Sequence, residues 1–211
     1  MNKKKILEKD KQILLRNWQK SQLITNKAVL QAFQSVNREL FVDSSYQDLS
    51  YSDQPLPTSS GQTISQPTTV AIMLQLLNVL PEHRILEVGT GSGYNAALLA
   101  NLGELVVTVE RHNELFTLAR KNLLSAGLVK VKVVEGDGKL GYSSLAPFDR
   151  IIITAATEQV PKNLKDQLTV GGLLVAPIGP TYGCEMQKMV KVSLNDFQTS
   201  SHGLFSFVPL V

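Results

Sequence analysis

Cross-linking is the first thing this sequence cannot do. Its 211 residues hold one cysteine, Cys184, so no internal disulfide can form and a reducing compartment suits the chain. A lone thiol can act as a nucleophile, but nothing in the neighbouring sequence arms Cys184. Net charge is also small, +3, and its densest patch is Lys3, Lys4 and Lys5, which reads as a solvated end. No basic stripe announces a nucleic-acid partner. No run approaches the ~20 apolar residues of a membrane span. The basic start leads into Glu8, Lys9 and Asp10, not into the apolar centre of a signal peptide. His83, His112 and His202 are scattered, so no metal site is expected. Repeats and low-complexity segments are missing too. The expectation is a cytoplasmic monomer that binds neither nucleic acid nor membrane.

With 43% hydrophobic residues, the chain can bury a sizeable core. Its organising stretch is R-I-L-E-V-G-T-G-S-G-Y-N-A-A-L-L-A, residues 84–100. Ile85, Leu86 and Val88 suit a strand buried on both faces. Gly89, Gly91 and Gly93 follow at alternate positions, and Ala96 to Ala100 are good helix formers. Strand, glycine turn and helix place a nucleotide-like ligand at the carboxyl end of a parallel sheet. The spacing is G-x-G-x-G; the dinucleotide fingerprint would need its third glycine where Tyr94 stands. Glu87, two residues before the first glycine, is expected to lie beside the turn and accept hydrogen bonds from a cationic ligand or its waters. It would repel a pyrophosphate, which favours S-adenosylmethionine over NAD.

Around that stretch the chain alternates. Residues 3–23 read as a helix, with Thr25 as N-cap of a second. Residues 37–66 are rich in Ser, Asp, Gln, Pro and Gly, with Leu40, Phe41, Tyr46, Leu49, Tyr51 and Leu56 as anchors; a loop this long in a compact domain is usually functional. The stretch 46–66 is expected to close over a substrate. Pro67 opens a helix to about 79. Further strands fall at 105–109, 129–134, 148–154 and 172–178, with helices at 113–126 and 161–168. Two last strands, 186–194 and 203–210, lack a helix between them. This predicts an α/β fold: a doubly wound, mostly parallel sheet with N-terminal helices and an antiparallel C-terminal edge. A single domain, 1–211, is expected, with helices and substrate loop in 1–66 and the cofactor-binding part in 67–211.

Two acids stand where ligand contacts belong. Glu110 lies 21 positions after Gly89, near the ~20 expected of a ribose-holding carboxylate, and equally suits a helix start. Asp137, between Gly136 and Gly138, can receive an adenine amino group or simply make a turn.

Taken in order, R-E-L-F-V, P-L-P, G-Q-T-I-S-Q-P, L-E-V-G-T-G-S-G-Y, V-E-R, G-D-G, A-P-F-D-R-I-I-I-T-A-A, Q-L-x-x-G-G-x-L-V and F-V-P-L make the chain resemble the protein-L-isoaspartate (D-aspartate) O-methyltransferases. These are class I, Rossmann-like, S-adenosylmethionine-dependent enzymes. The resemblance runs from about Arg38 to the C-terminus. It implies methylation of the free carboxylate of L-isoaspartyl residues in damaged proteins and peptides. The ester then closes to a succinimide, whose hydrolysis returns some normal aspartate. It places the active-site serine at Ser65 and cofactor contacts at Thr63, Ile64, Ser65, Glu87, Gly89, Thr90, Gly91, Ser92, Gly93, Glu110, Asp137 and Gly138. Thr58, Ser59 and Ser60 depart from the usual I-G-x, and the 183–186 segment has no family pattern.

Rival readings stand beside these. Ser65, just before Gln66 and Pro67, also suits a helix N-cap. A methyltransferase of nucleic acid or small molecules is a second class, but Thr154-Ala155-Ala156-Thr157 stands where base-directed enzymes carry D/N-P-P-Y. A non-catalytic cofactor-binding adaptor is the third.

Overall fold

The computed structural model describes residues 2–211. Two helices lead, α1 (Lys3–Lys20) and α2 (Lys27–Ser35). Asn26, not Thr25, caps α2, its side chain accepting from the Ala28 and Val29 amides. Thr25 is diverted, because its own amide donates to Gln75 Oε1 at 2.7 Å. The 37–66 stretch is built from short 3-10 turns and one antiparallel pair, β1 (Leu56–Pro57) with β2 (Thr63–Ile64).

Then come α3 (Pro67–Leu77), β3 (Arg84–Val88), α4 (Tyr94–Ala100), β4 (Leu105–Glu110), α5 (Asn113–Ser125), β5 (Lys132–Glu135), β6 (Phe148–Ile153), α6 (Lys162–Asp166), β7 (Leu168–Ile178), β8 (Tyr182–Lys191) and β9 (Phe197–Ser206). One seven-stranded sheet runs β5-β4-β3-β6-β7-β8-β9. The first five strands of that order are parallel, and β8 and β9 are antiparallel. Alternation sorts the core. Ile85, Val106, Ile152 and Val175 face the layer of α1–α4, while Leu86, Val107, Ile151 and Leu174 face α6 through Leu164.

Three boundaries differ from the pattern. The third main strand starts at Lys132, since Val129 is exposed. Gly171 and Gly172 sit inside β7 at a register shift, not before it as a turn. The two tail strands begin earlier than their apolar pattern suggests, because Val208 to Leu210 leave the hairpin to pair beside Ala156.

The N-terminal helices are tied to the sheet layer through a side-chain relay. Trp18, 3% exposed, donates its indole N–H to Thr68 Oγ1 at 2.7 Å, and that hydroxyl donates to Asp53 Oδ2 at 2.6 Å. Asp53 Oδ1 also accepts the Thr68 amide, so a loop residue caps α3 from a distance. The formal N-cap, Gln66, makes no side-chain cap bond.

Candidate active site

Strand order reverses between β3 and β6, and in an open α/β sheet the crevice at that switch, outside the carboxyl ends of the strands, is where ligands bind. A cleft of about 900 Å³, counting its open mouth, lies there. The turn after β3 forms its floor through Gly89, Thr90, Gly91 and Ser92, with Thr63, Ile64, Ser65, Glu110 and Gly138 around it. Gly89 and Gly91 have φ of +94° and +55°. A Cβ at Gly89 would stand 2.4 Å from Thr154 Oγ1, whereas one at Gly91 would meet no protein atom within 4 Å. The first glycine is needed for packing against β6. The second leaves room inside the cleft.

Glu110 is 5% exposed, and its carboxylate is aimed by two backbone donors. The Gly91 amide binds Oε2 and the His112 amide binds Oε1, both at 2.9 Å. Each oxygen keeps a further lone pair, enough to accept two hydroxyls. Asn95 Oδ1, in the cleft wall, is buried with no protein partner, an acceptor suited to an ammonium group.

Three expected contacts lie outside the lining. Glu87 is fully buried beneath the turn, accepting from Asn95 Nδ2 at 2.7 Å and Thr108 Oγ1 at 2.6 Å. Its position on β3 points it at α4, so it steers Asn95 and cannot touch a ligand directly. Thr90 Oγ1 extends this chain, 2.6 Å from Thr108 Oγ1. Desolvation pushes Glu87 up to about 8, against the lowering effect of its two hydrogen bonds. Gly93 is the left-handed residue before α4, facing Ala119 and Leu123. Asp137 is exposed, and its side chain accepts the Lys139 amide.

A second, larger cleft adjoins the first and shares Thr63, Ser65, Thr154 and Val208 with it. Its walls come from the start of α3 and the adjoining ends of β8 and β9, and no charged side chain lines it among the described residues. Ser65 stands at the junction, half-buried, its hydroxyl without a protein partner among the described residues. It does not cap α3; Asp53 does that work.

Sequence reasoning missed two residues at this junction. Thr154 Oγ1 lies 2.7 Å from the Gly89 carbonyl and 3.1 Å from that of Val88. Its place just past the end of β6, at the switch, was the available signal. Arg38 gave none. Its guanidinium is fully buried, donating to the Ser50 carbonyl and, at 2.9 Å, to the Ser65 carbonyl. It also stacks 5.6 Å from the Tyr94 ring centroid. Cys184 is buried and lines neither cleft, its thiol donating to the Phe205 carbonyl at 3.1 Å, and burial pushes its pKa up.

The family model for protein-L-isoaspartate(D-aspartate) O-methyltransferase matches residues 8–211. A protein-L-isoaspartate O-methyltransferase of Methanoculleus marisnigri is 46% identical over 89% of this chain and 85% of its own. One from Flavobacterium johnsoniae is 44% identical over 89% and 88%. In structure, the chain superimposes with a TM-score of 0.82 on a Plasmodium falciparum protein described as a protein-L-isoaspartate O-methyltransferase, solved with S-adenosyl-L-homocysteine. The identity is 25%, covering 94% of this chain and 96% of that one.

Proposed function

The chain belongs to the protein-L-isoaspartate(D-aspartate) O-methyltransferase family and is an S-adenosylmethionine-dependent enzyme of protein repair, and we propose that Ser65 aligns the isoaspartyl carboxylate for transfer. One observation carries this reading: the two clefts meet at Ser65 and Thr154.

The inner cleft fits the cofactor. Open space over Gly91, the aimed carboxylate of Glu110 and the unpartnered Asn95 oxygen match a ligand with a ribose and an amino group. Gly89 to Ser92, Glu110, Thr63, Ile64 and Gly138 would hold it. When bound, S-adenosylmethionine supplies a methyl group activated by a sulfonium charge. Glu87 serves at one remove, by fixing Asn95 and Thr108.

The acceptor is a carboxylate already ionised at pH 7, since its reference pKa is about 4. No general base is needed. What remains for the protein is alignment in a water-poor space, worth on the order of 7–11 kcal/mol. The free Ser65 hydroxyl donates to the carboxylate or to its flanking peptide. Thr154, tied to the Gly89 carbonyl, fixes the wall opposite.

The uncharged outer cleft suits a peptide better than a polyanion, which speaks against nucleic acid as substrate. A monomer suffices, because one chain lines both clefts. A lone buried thiol suits the cytoplasm, and no helix among the described residues is long and apolar enough to cross a membrane. Radiolabelled methyl transfer to an isoaspartyl peptide against its aspartyl twin tests the reading. Label in the first only is expected. Equal label in both, or none in either, refutes it.

A further inference from the structure

The outer cleft must receive a carboxylate, yet its lining has no positive side chain. A cation does stand one layer behind it. Arg38 reaches the Ser65 carbonyl with one guanidinium nitrogen and the Ser50 carbonyl with the other. The group is 0% exposed, and no carboxylate pairs with it: the ion pairs found among the described residues are Lys3 with Asp48 and Lys162 with Asp166. Its Nε has no partner at all. Burying a guanidinium without a counter-ion is expensive, and an apolar side chain would fill the same volume at less cost. Lysine would not do the same work here, because the Ser50 and Ser65 carbonyls are held by two different nitrogens of a planar fork and an ammonium is a single point.

We propose that Arg38 is the positioning residue for the substrate carboxylate, holding Ser65 in place while its buried positive charge, screened from direct contact by the Ser65 peptide, draws the carboxylate into the junction. This rests on Ser65 marking the acceptor site. The indirect placement has a chemical logic. A guanidinium paired directly with the carboxylate would tie up the lone pairs that must attack the methyl group. A cation behind a peptide attracts the anion and leaves its oxygens free. Methylation removes the negative charge, so the ester product loses this attraction and is released more easily.

The test compares two peptides that differ in one group, an isoaspartyl peptide and its isoasparaginyl carboxamide twin. Binding is measured by calorimetry with S-adenosylhomocysteine present, which carries no sulfonium and whose ammonium is common to both peptides and every variant. Wild type is expected to prefer the carboxylate by about tenfold, the scale of one partly screened charge. Arg38→Met should reduce that preference below twofold, while affinity for S-adenosylhomocysteine stays within threefold. Arg38→Lys should keep most of the preference but lower turnover, since a single ammonium cannot reproduce the spacing of the two guanidinium donors. A wild-type preference near one overturns the inference without any variant. So does an unchanged preference in Arg38→Met, a lost one in Arg38→Lys, or an equal fall in cofactor-product affinity, which a purely structural role predicts. If Arg38→Met does not fold, the wild-type and lysine measurements decide. Absence of methyl transfer to the isoaspartyl peptide would instead defeat the proposed function.

Discussion

Replacing Gly89 and Gly91 by alanine, one at a time, should separate folding from ligand binding within a single turn. At Gly89 two costs add. A φ of +94° suits glycine and strains alanine, by about 1–2 kcal/mol. The new methyl would also stand 2.4 Å from Thr154 Oγ1 and force that hydroxyl off the Gly89 and Val88 carbonyls, a further loss of about 1 kcal/mol. The sum, about 2–3 kcal/mol, corresponds in a chain of this size to a melting temperature lower by roughly 4–12 °C. At Gly91 the φ of +55° lies in the ordinary left-handed well and the methyl meets no protein atom. Its folding cost is therefore about 1 kcal/mol. The methyl enters the cleft, so affinity for S-adenosylhomocysteine should drop at least tenfold. Urea denaturation and calorimetry on both variants measure the two quantities. Adding Thr154→Ala to Gly89→Ala should recover the clash but not the strain, giving coupling of about 1 kcal/mol. The reasoning fails if Gly89→Ala is as stable as wild type, or if Gly91→Ala binds normally.

Ser65→Ala should lower turnover by roughly a hundred- to a thousand-fold, the loss of one positioned donor, with the melting temperature and S-adenosylhomocysteine affinity nearly unchanged. A variant that melts early but turns over normally would return Ser65 to a structural role. Glu87, raised from 4.5 to about 8 chiefly by desolvation, binds more protons folded than unfolded between those values. Its contribution to stability is therefore present below the unfolded pKa and falls as pH rises towards 8. Melting curves across that range should fall with pH in wild type and flatten in Glu87→Gln; parallel curves would contradict the assignment. In hydrogen exchange, S-adenosylhomocysteine plus isoaspartyl peptide should protect residues 54–62 most. Ser50 is already held by Arg38, and Thr68 by Asp53. Uniform protection across 46–66 would show that those two anchors release.

The glycine turn was legible because its signal is local: an apolar run, three alternate glycines and a helix former within seventeen positions. The place of Glu110 beside the turn was legible for the same reason, one strand away at a spacing fixed by the βαβ unit, though that spacing equally suited a helix start. Glu87 was legible as important but misplaced, since strand alternation, which sends it beneath α4, acts on side-chain direction and not on spacing. The rival reading of Ser65 as the cap of α3 is set aside by Asp53, which caps from 15 positions before Thr68 and which no local pattern marks. Arg38 and Thr154 act across the fold, 27 and 65 positions from the carbonyls they hold in Ser65 and Gly89. Nothing in a linear pattern records such a meeting.

Trp18 gives the molecule a built-in optical reporter. It is the only tryptophan in the sequence, buried with the edge of Phe33 against it at 5.0 Å. With excitation selective for indole, its emission is expected to report an apolar, hydrogen-bonded environment at this one site. Because its partner hydroxyl on Thr68 also serves Asp53, emission shifts if the loop lets go of α3 and stays constant if only the inner cleft fills. Cofactor and peptide titrations can thus be followed in unlabelled protein, in real time, with loop release showing as a colour change distinct from binding.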